Sequence, residues 1–111
     1  MTGLPEFDEL ILDVAKLAAY SLSGDHPHGR HKARVFKSAL GIDHTDAAWL
    51  RQALIDALPN AEARPAGSNE FGPRWRADVE VARHDKRAVV CPIWIMDTGS
   101  RKLRLITCWI D

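Results

Sequence analysis

Phe7, Leu10, Ile11, Val14, Leu17 and Ala18 recur at three- and four-residue spacing, which predicts an opening amphipathic helix with one buried stripe. Pro5 and Glu6 suit its first turn, where a missing N–H costs nothing and a carboxylate favours the helix dipole. The turn-forming run from Ser21 to Pro27 closes it. A second helix is expected from about Gly29 to Leu40, with Asp25 or His28 as cap and Gly41 as its stop. A third is expected from about Asp46 to Leu58, capped by Asp43 or Thr45 and ended by Pro59. It would bury Leu50, Ala53, Leu54, Ala57 and Leu58, with Trp49 at the margin.

Residues 59–73 read as loop, rich in Pro, Gly and Asn, with room for a short edge strand near Ala61–Arg64. From Arg74 the period changes to two: Trp75, Ala77, Val79 and Val81 alternate with Arg74, Arg76, Asp78 and Glu80. Two further strands follow at 88–96 and 103–110, apolar on both faces and joined by polar connectors. The expected fold is therefore one α+β domain over 1–111, about three N-terminal helices followed by an antiparallel three- to four-stranded meander.

If each hairpin is symmetric about its polar connector, Val81, Val79, Ala77 and Trp75 oppose Val89, Cys91, Ile93 and Ile95. Cys91, Ile93 and Ile95 then oppose Cys108, Ile106 and Arg104, and this aliphatic face lies under the helices. The other face carries Arg74, Arg76, Asp78 and Glu80, then Val90, Pro92, Trp94 and Met96, then Leu103, Leu105, Thr107 and Trp109. A slip of one residue would exchange the faces of a strand. Two functions fit such a surface: a platform on which bases stack on Trp94 or Trp109 while arginines hold phosphates, or a contact face for a protein or a second copy of the chain.

Composition narrows the classes. The chain has 111 residues, enough for one core but not two. No run of about eighteen apolar residues exists to span a membrane, and the N-terminus lacks a signal-peptide pattern, so a cytoplasmic location is expected. Fifteen basic and fifteen acidic side chains leave no net charge, so attraction to nucleic acid must be local.

A local basic segment exists. Residues 26–37 hold His26, His28, Arg30, His31, Lys32, Arg34 and Lys37 without an acid. Four readings stay open: a metal site on the three histidines, a solvated helix start, phosphate binding at a helix N-terminus, and general acid–base chemistry by one histidine. The histidine spacing matches no strong zinc signature, and no metal or cofactor is expected. At about 100° per residue, Ala33, Phe36, Ala39 and Leu40 define the buried side of the helix, and Arg30, Arg34 and Lys37 the outer one. Lys32 breaks this pattern by pointing inward. It either snorkels to water or presents a cation where phosphate charge develops. Cys91 and Cys108, opposite each other in the assumed register, are expected as two buried thiols rather than a disulfide.

Tyr20-Ser21-Leu22, the run His26-Pro27-His28-Gly29-Arg30-His31-Lys32-Ala33-Arg34-Val35-Phe36, and Leu40-Gly41 resemble an uncharacterised bacterial family of small stand-alone domains, as do Gly72, Arg74-Trp75, Trp94-Ile95, Gly99 and Leu103 to Trp109. Helices followed by an antiparallel meander, with a His/Gly/Lys helix start and a final strand bearing a hydroxyl, are also similar to the barnase–EndoU–colicin–RelE group. That resemblance implies a metal-independent ribonuclease of toxin type with a neutralising partner, although Trp109 stands where that group closes its final strand motif with a phenol. For RNA cleavage, a base is expected among His26, His28, His31 and Glu80. Lys32, Arg34 and Arg76 would face phosphorane charge, with Arg30 and Arg74 as further RNA contacts, Thr107 would bond a phosphate oxygen, and Trp94 or Trp109 would stack a base. The alternative is a non-enzymatic toxin–antitoxin partner docking through its Trp/Leu sheet face.

Overall fold

In the computed structural model, which describes residues 4–18, 29–70, 72–96, 99 and 101–110 (backbone alone at 29–31 and 69), the chain opens on a strand. Strand β1, Glu9–Ile11, pairs in parallel with Lys102, Leu103 and Arg104. Helix begins only at Val14, where α1, Val14–Lys16, is capped by the Asp13 carboxylate accepting from the Ala15 N–H at 2.8 Å. The apparent helical stripe is thereby split. Leu10 and Leu12 alternate into the core, while Phe7 and Val14 are each left 36% exposed. Pairing with a distant strand overrides the local period here, supported by the Asp8 N–H bond to the Arg101 carbonyl and by ion pairs from Arg101 to Asp8 and from Lys102 to Glu9.

Helix α2, Gly29–Leu40, has the expected bounds, and Gly41 follows at φ +69°, a left-handed stop that favours glycine. Asp43 then caps a 3-10 turn, His44–Asp46, that leads into α3, Ala47–Ala57. The Asp43 carboxylate accepts from the Thr45 N–H while Asp46 accepts from the Asp43 N–H. Leu58–Asn60 forms a second 3-10 turn containing Pro59.

Four more strands follow: β2 at Glu62–Asn69, β3 at Gly72–Arg83, β4 at Lys86–Met96 and β5 at Lys102–Ile110. The sheet order is β1-β5-β4-β3-β2, antiparallel except for β1 with β5. The expectation of three leading helices and a wholly antiparallel meander is thus corrected. The domain keeps α+β character, but its sheet is five-stranded and mixed, and α2 and α3 lie between β1 and β2 in the chain. The segment 59–73, read mainly as loop, is largely strand. Its Pro65 sits beside a bulge, as edge-strand prolines do.

The register also differs. The chain turns in two residues, His84 and Asp85, with His84 at φ +56°, and Arg83 pairs with Lys86. The centre of the hairpin therefore lies half a residue from the middle of the polar connector, and every β3–β4 pair shifts by one: Val79 opposes Val90 and Trp75 opposes Trp94. On the other side of β4, Ile95 does oppose Arg104, but a bulge between Ile93 and Trp94 then shifts the ladder, so that Cys91 meets Trp109 and Pro92 meets Cys108. The two cysteines lie on opposite faces as free, buried thiols.

Under the helices, Phe36, Leu40, Leu50 and Leu54 pack with Val79, Val81, Val90, Trp94, Leu103 and Cys108 in one core. Arg83 ties the β3–β4 hairpin to this helical layer. It donates to the Gly41 carbonyl at 2.9 Å and to Asp46 at 3.2 Å, with its guanidinium 5.2 Å from the Trp49 ring centre.

Candidate functional site

The inward phase of Lys32 has a physical destination. Its Nζ donates to Thr107 Oγ1 at 2.9 Å, joining the first turns of α2 to β5 across 75 residues of sequence. Both residues are half-buried, whereas Arg34 and Lys37 are exposed on the outer side of the same helix. Thr107 follows Ile106, where the bulge interrupts the β5 ladder, and among the described residues no strand pairs with β5 beyond Arg104 on the β1 side. A cavity of about 70 Å³ opens there, lined by Asp13, Lys16, Arg104 and Thr107 with apolar neighbours. It is far below the size that encloses a drug-like ligand and suits one small polar or charged group.

An ammonium has three donors, so the bond to Thr107 leaves two for another acceptor, and the threonine O–H keeps its own proton to donate. Lys32 and Thr107 together can therefore face an anionic oxygen with a cation and a directed hydroxyl. Sequence reasoning singled out neither Lys16 nor Arg104. Arg104 carried a usable signal, a lone charge inside the apolar run Leu103–Ile110.

The face of the sheet away from the helices holds a second constellation. Arg76 donates through Nε and Nη2 to the two oxygens of Asp78, at 2.7 and 3.0 Å, and its Nη2 also lies 3.2 Å from Cys91 Sγ. Its guanidinium sits 5.3 Å from the Trp109 ring centre. The hydrogen bond from Arg76 holds the Asp78 carboxyl below its ordinary range, and the carboxylate in turn raises the proton affinity of Arg76. Burial, and then the nearby Asp78 charge, pushes the Cys91 thiol upward, away from nucleophilic use.

Several expected site residues fall elsewhere. Trp94 is fully buried in the core, because the register shift turned it inward, so it offers no stacking surface; its Nε1 is a buried donor without a hydrogen-bond partner. The same shift takes Val90 and Leu103 into the core and packs Met96 and Leu105 against it, which removes the Trp/Leu contact face. Glu80 bonds Arg87 at 3.0 Å and lies opposite Val89, toward the hairpin end of the sheet. It stands two strands over and about 13 Å along the strands from Thr107, too far to share its chemistry. Arg74 and Arg76 lie together on the face away from the helices. His26 and His28 lie outside the described residues, as do the side chains of Arg30 and His31. Among the described residues, no three His, Cys, Asp or Glu side chains are grouped as a metal site, and no helix is long and apolar enough to cross a membrane.

The molecule is thus a small α+β domain in which a lysine near the start of a basic helix is bonded to a hydroxyl on the final strand. Residues 3–111 match the family model described as "Domain of unknown function (DUF6883)", and the chain belongs to that family. No curated protein and no solved structure matches it.

Proposed function

We propose that the protein is an RNA-binding and RNA-cleaving domain of toxin type that works without a metal, with Lys32 and Thr107 at its centre. The observation that carries this reading is the 2.9 Å bond between a half-buried cation and a half-buried hydroxyl, with Asp13, Lys16 and Arg104 lining the cavity at Thr107. A lysine that only snorkelled would end in water; this one ends on a threonine that has a donor to spare.

In the proposed reaction the ribose 2′-oxygen attacks the adjacent phosphorus while the P–O5′ bond breaks. The products are a 2′,3′-cyclic phosphate and a 5′-hydroxyl. A base takes the 2′-hydroxyl proton, and an acid returns one to the leaving O5′. Lys32 and Thr107 would stabilise the charge that grows on the phosphorane oxygens. The candidates for the proton transfers are His26, His28 and His31.

The test is incubation of the purified protein with end-labelled single-stranded RNA in excess EDTA. Cleavage to cyclic-phosphate and 5′-hydroxyl ends is expected, blocked where a 2′-deoxynucleotide replaces the ribose at the cut. Failure of the wild-type protein either to cut or to bind RNA at low salt would overturn the proposal.

A further inference from the structure

The ladder sorts charge along the outer face of the sheet. Paired residues of adjacent strands share a face, so three rows can be read across the face opposite the helices. The first row is Arg74, Ile95 and Arg104; the second is Arg64, Arg76 and Ile93, ending at the bulged β5 edge where Thr107 meets Lys32; the third is Glu62, Asp78, Cys91 and Trp109. Glu80 and Val89 continue toward the hairpin. Four arginines thus gather at one end of the face, with the Glu9–Lys102 pair at its β1 edge, while three carboxylates lie toward the hairpin together with Arg87, which bonds Glu80, in a chain with no net charge.

The arginines are not equivalent. Arg76 is committed to Asp78 and Cys91, and its guanidinium sits 5.3 Å from the Trp109 ring centre, so it offers a cation–π pair rather than a separate charge. Arg64 is two-thirds exposed and reaches Asp78 only at 3.8 Å. Arg74 has no ion pair among the described residues, and its Nε is a buried donor without an acceptor. Arg104 lines the cavity that also holds Thr107, so the arginine end of the face runs directly into the Lys32–Thr107 centre. Arg74 and Arg104 are two strand spacings apart, ~9.6 Å between backbones.

We infer that single-stranded RNA crosses this outer face, with its phosphates held by Arg64, Arg74 and Arg104 and one base stacked on the Arg76–Trp109 pair. The inference rests on the RNA reading above and adds the path of the strand. Separate cations set around an arginine–tryptophan pair suit a strand whose bases are unpaired, since a base must leave its own stack to lie on such a platform.

The probe is a fluorescent 2′-O-methyl RNA ten-mer, which lacks the attacking hydroxyl. Its affinity is read by anisotropy between 50 and 300 mM salt, against a duplex of the same length. Each of Arg64→Gln, Arg74→Gln and Arg104→Gln is expected to weaken binding roughly threefold to tenfold. Each should also flatten the slope of log K against log salt by about 0.7, the single-strand value per phosphate contact. Arg87→Gln, at the carboxylate end and 75% exposed, should change neither. Wild-type binding that all three variants retain in full would overturn the path while leaving the RNA reading intact. Equal affinity for the duplex would overturn the single-strand assignment. No RNA binding at 50 mM salt would overturn both and leave the charge-sorted face to a protein partner. Should Arg74→Gln or Arg104→Gln fail to fold, the exposed Arg64→Gln and the charge-keeping Arg104→Lys still decide the outcome.

Discussion

Lys32 Nζ and Thr107 Oγ1 lie 2.9 Å apart, one on a helix near the start of the chain and the other on its last strand. Thr107 carries no charge to match the ammonium, so the bond orients the lysine without pairing its charge. An ion pair with a carboxylate would have satisfied the cation; a threonine leaves it positive and held in place. That is the arrangement expected of a group awaiting an anion.

Lys32→Met should leave the protein folded, since its methylenes still pack, with a stability loss of about 0.5–1.5 kcal/mol for the lost hydrogen bond. RNA cleavage or binding should fall roughly tenfold to a hundredfold, the equivalent of about 1.5–3 kcal/mol for a charge-assisted contact. Lys37→Met, on the exposed side of α2, is the matched control and should do little. Thermal melting and an RNA assay check both; equal behaviour of the two variants would remove Lys32 from the site.

Thr107→Val removes the hydroxyl and keeps the shape, and Thr107→Ser restores the hydroxyl. Valine should reproduce much of the Lys32→Met defect and serine should recover most of it. In the double variant Lys32→Met/Thr107→Val the losses should fall short of the sum, because the two side chains act through one contact. Strict additivity in a double-mutant cycle of RNA cleavage rates would show that the bond plays no part in the activity.

Arg83→Met should lower stability by about 1–3 kcal/mol, since it loses a bond to a helix-terminal carbonyl and one to a carboxylate. The melting temperature should drop by several degrees. Arg87→Met, whose ion pair with Glu80 is solvent-exposed, should stay within about 0.5 kcal/mol of wild type.

Asp78 sets an acid dependence. Its carboxyl is held below the ordinary value of 3.8, chiefly by the hydrogen bond from Arg76. A group depressed in the folded state contributes stability above its unfolded pKa and loses it as pH falls through the folded one. Asp78→Asn should therefore be less stable than wild type at pH 7, and the gap should narrow below about pH 3.8. Urea midpoints at pH 7 and pH 3 measure it; a gap that widens in acid would contradict the assignment.

Cys91 and Cys108 lie on opposite faces and are both fully buried. A thiol-specific reagent should label neither until the protein is unfolded, and diamide should produce no intramolecular cross-link. A cross-link between them in the folded protein would restore the symmetric register and refute the ladder.

Helix α2 was legible from the sequence because its signals are local. The apolar spacing of Ala33, Phe36 and Leu40 and the stop at Gly41 define it, and the inward phase of Lys32 follows from the same period. The alternation of β3 was legible for the same reason. Periodicity states which residues of one element share a side; it does not state what lies opposite. Strand β1 is three residues long and exists because Lys102–Arg104 offers it an edge, so its own stretch of chain carried only a misleading helical stripe. The face of Trp94 depended on whether the chain turns in two residues at His84 and Asp85 or in a longer loop. With a side-chain period of two, that half-residue change in the hairpin centre moved the tryptophan from a stacking surface to the core. The sequence by itself therefore determined an α+β domain, the bounds of α2 and an inward lysine. Only the tertiary structure decided that this lysine meets Thr107 and that the arginines gather at one end of the outer face, because both depend on strand pairing between residues far apart in the chain.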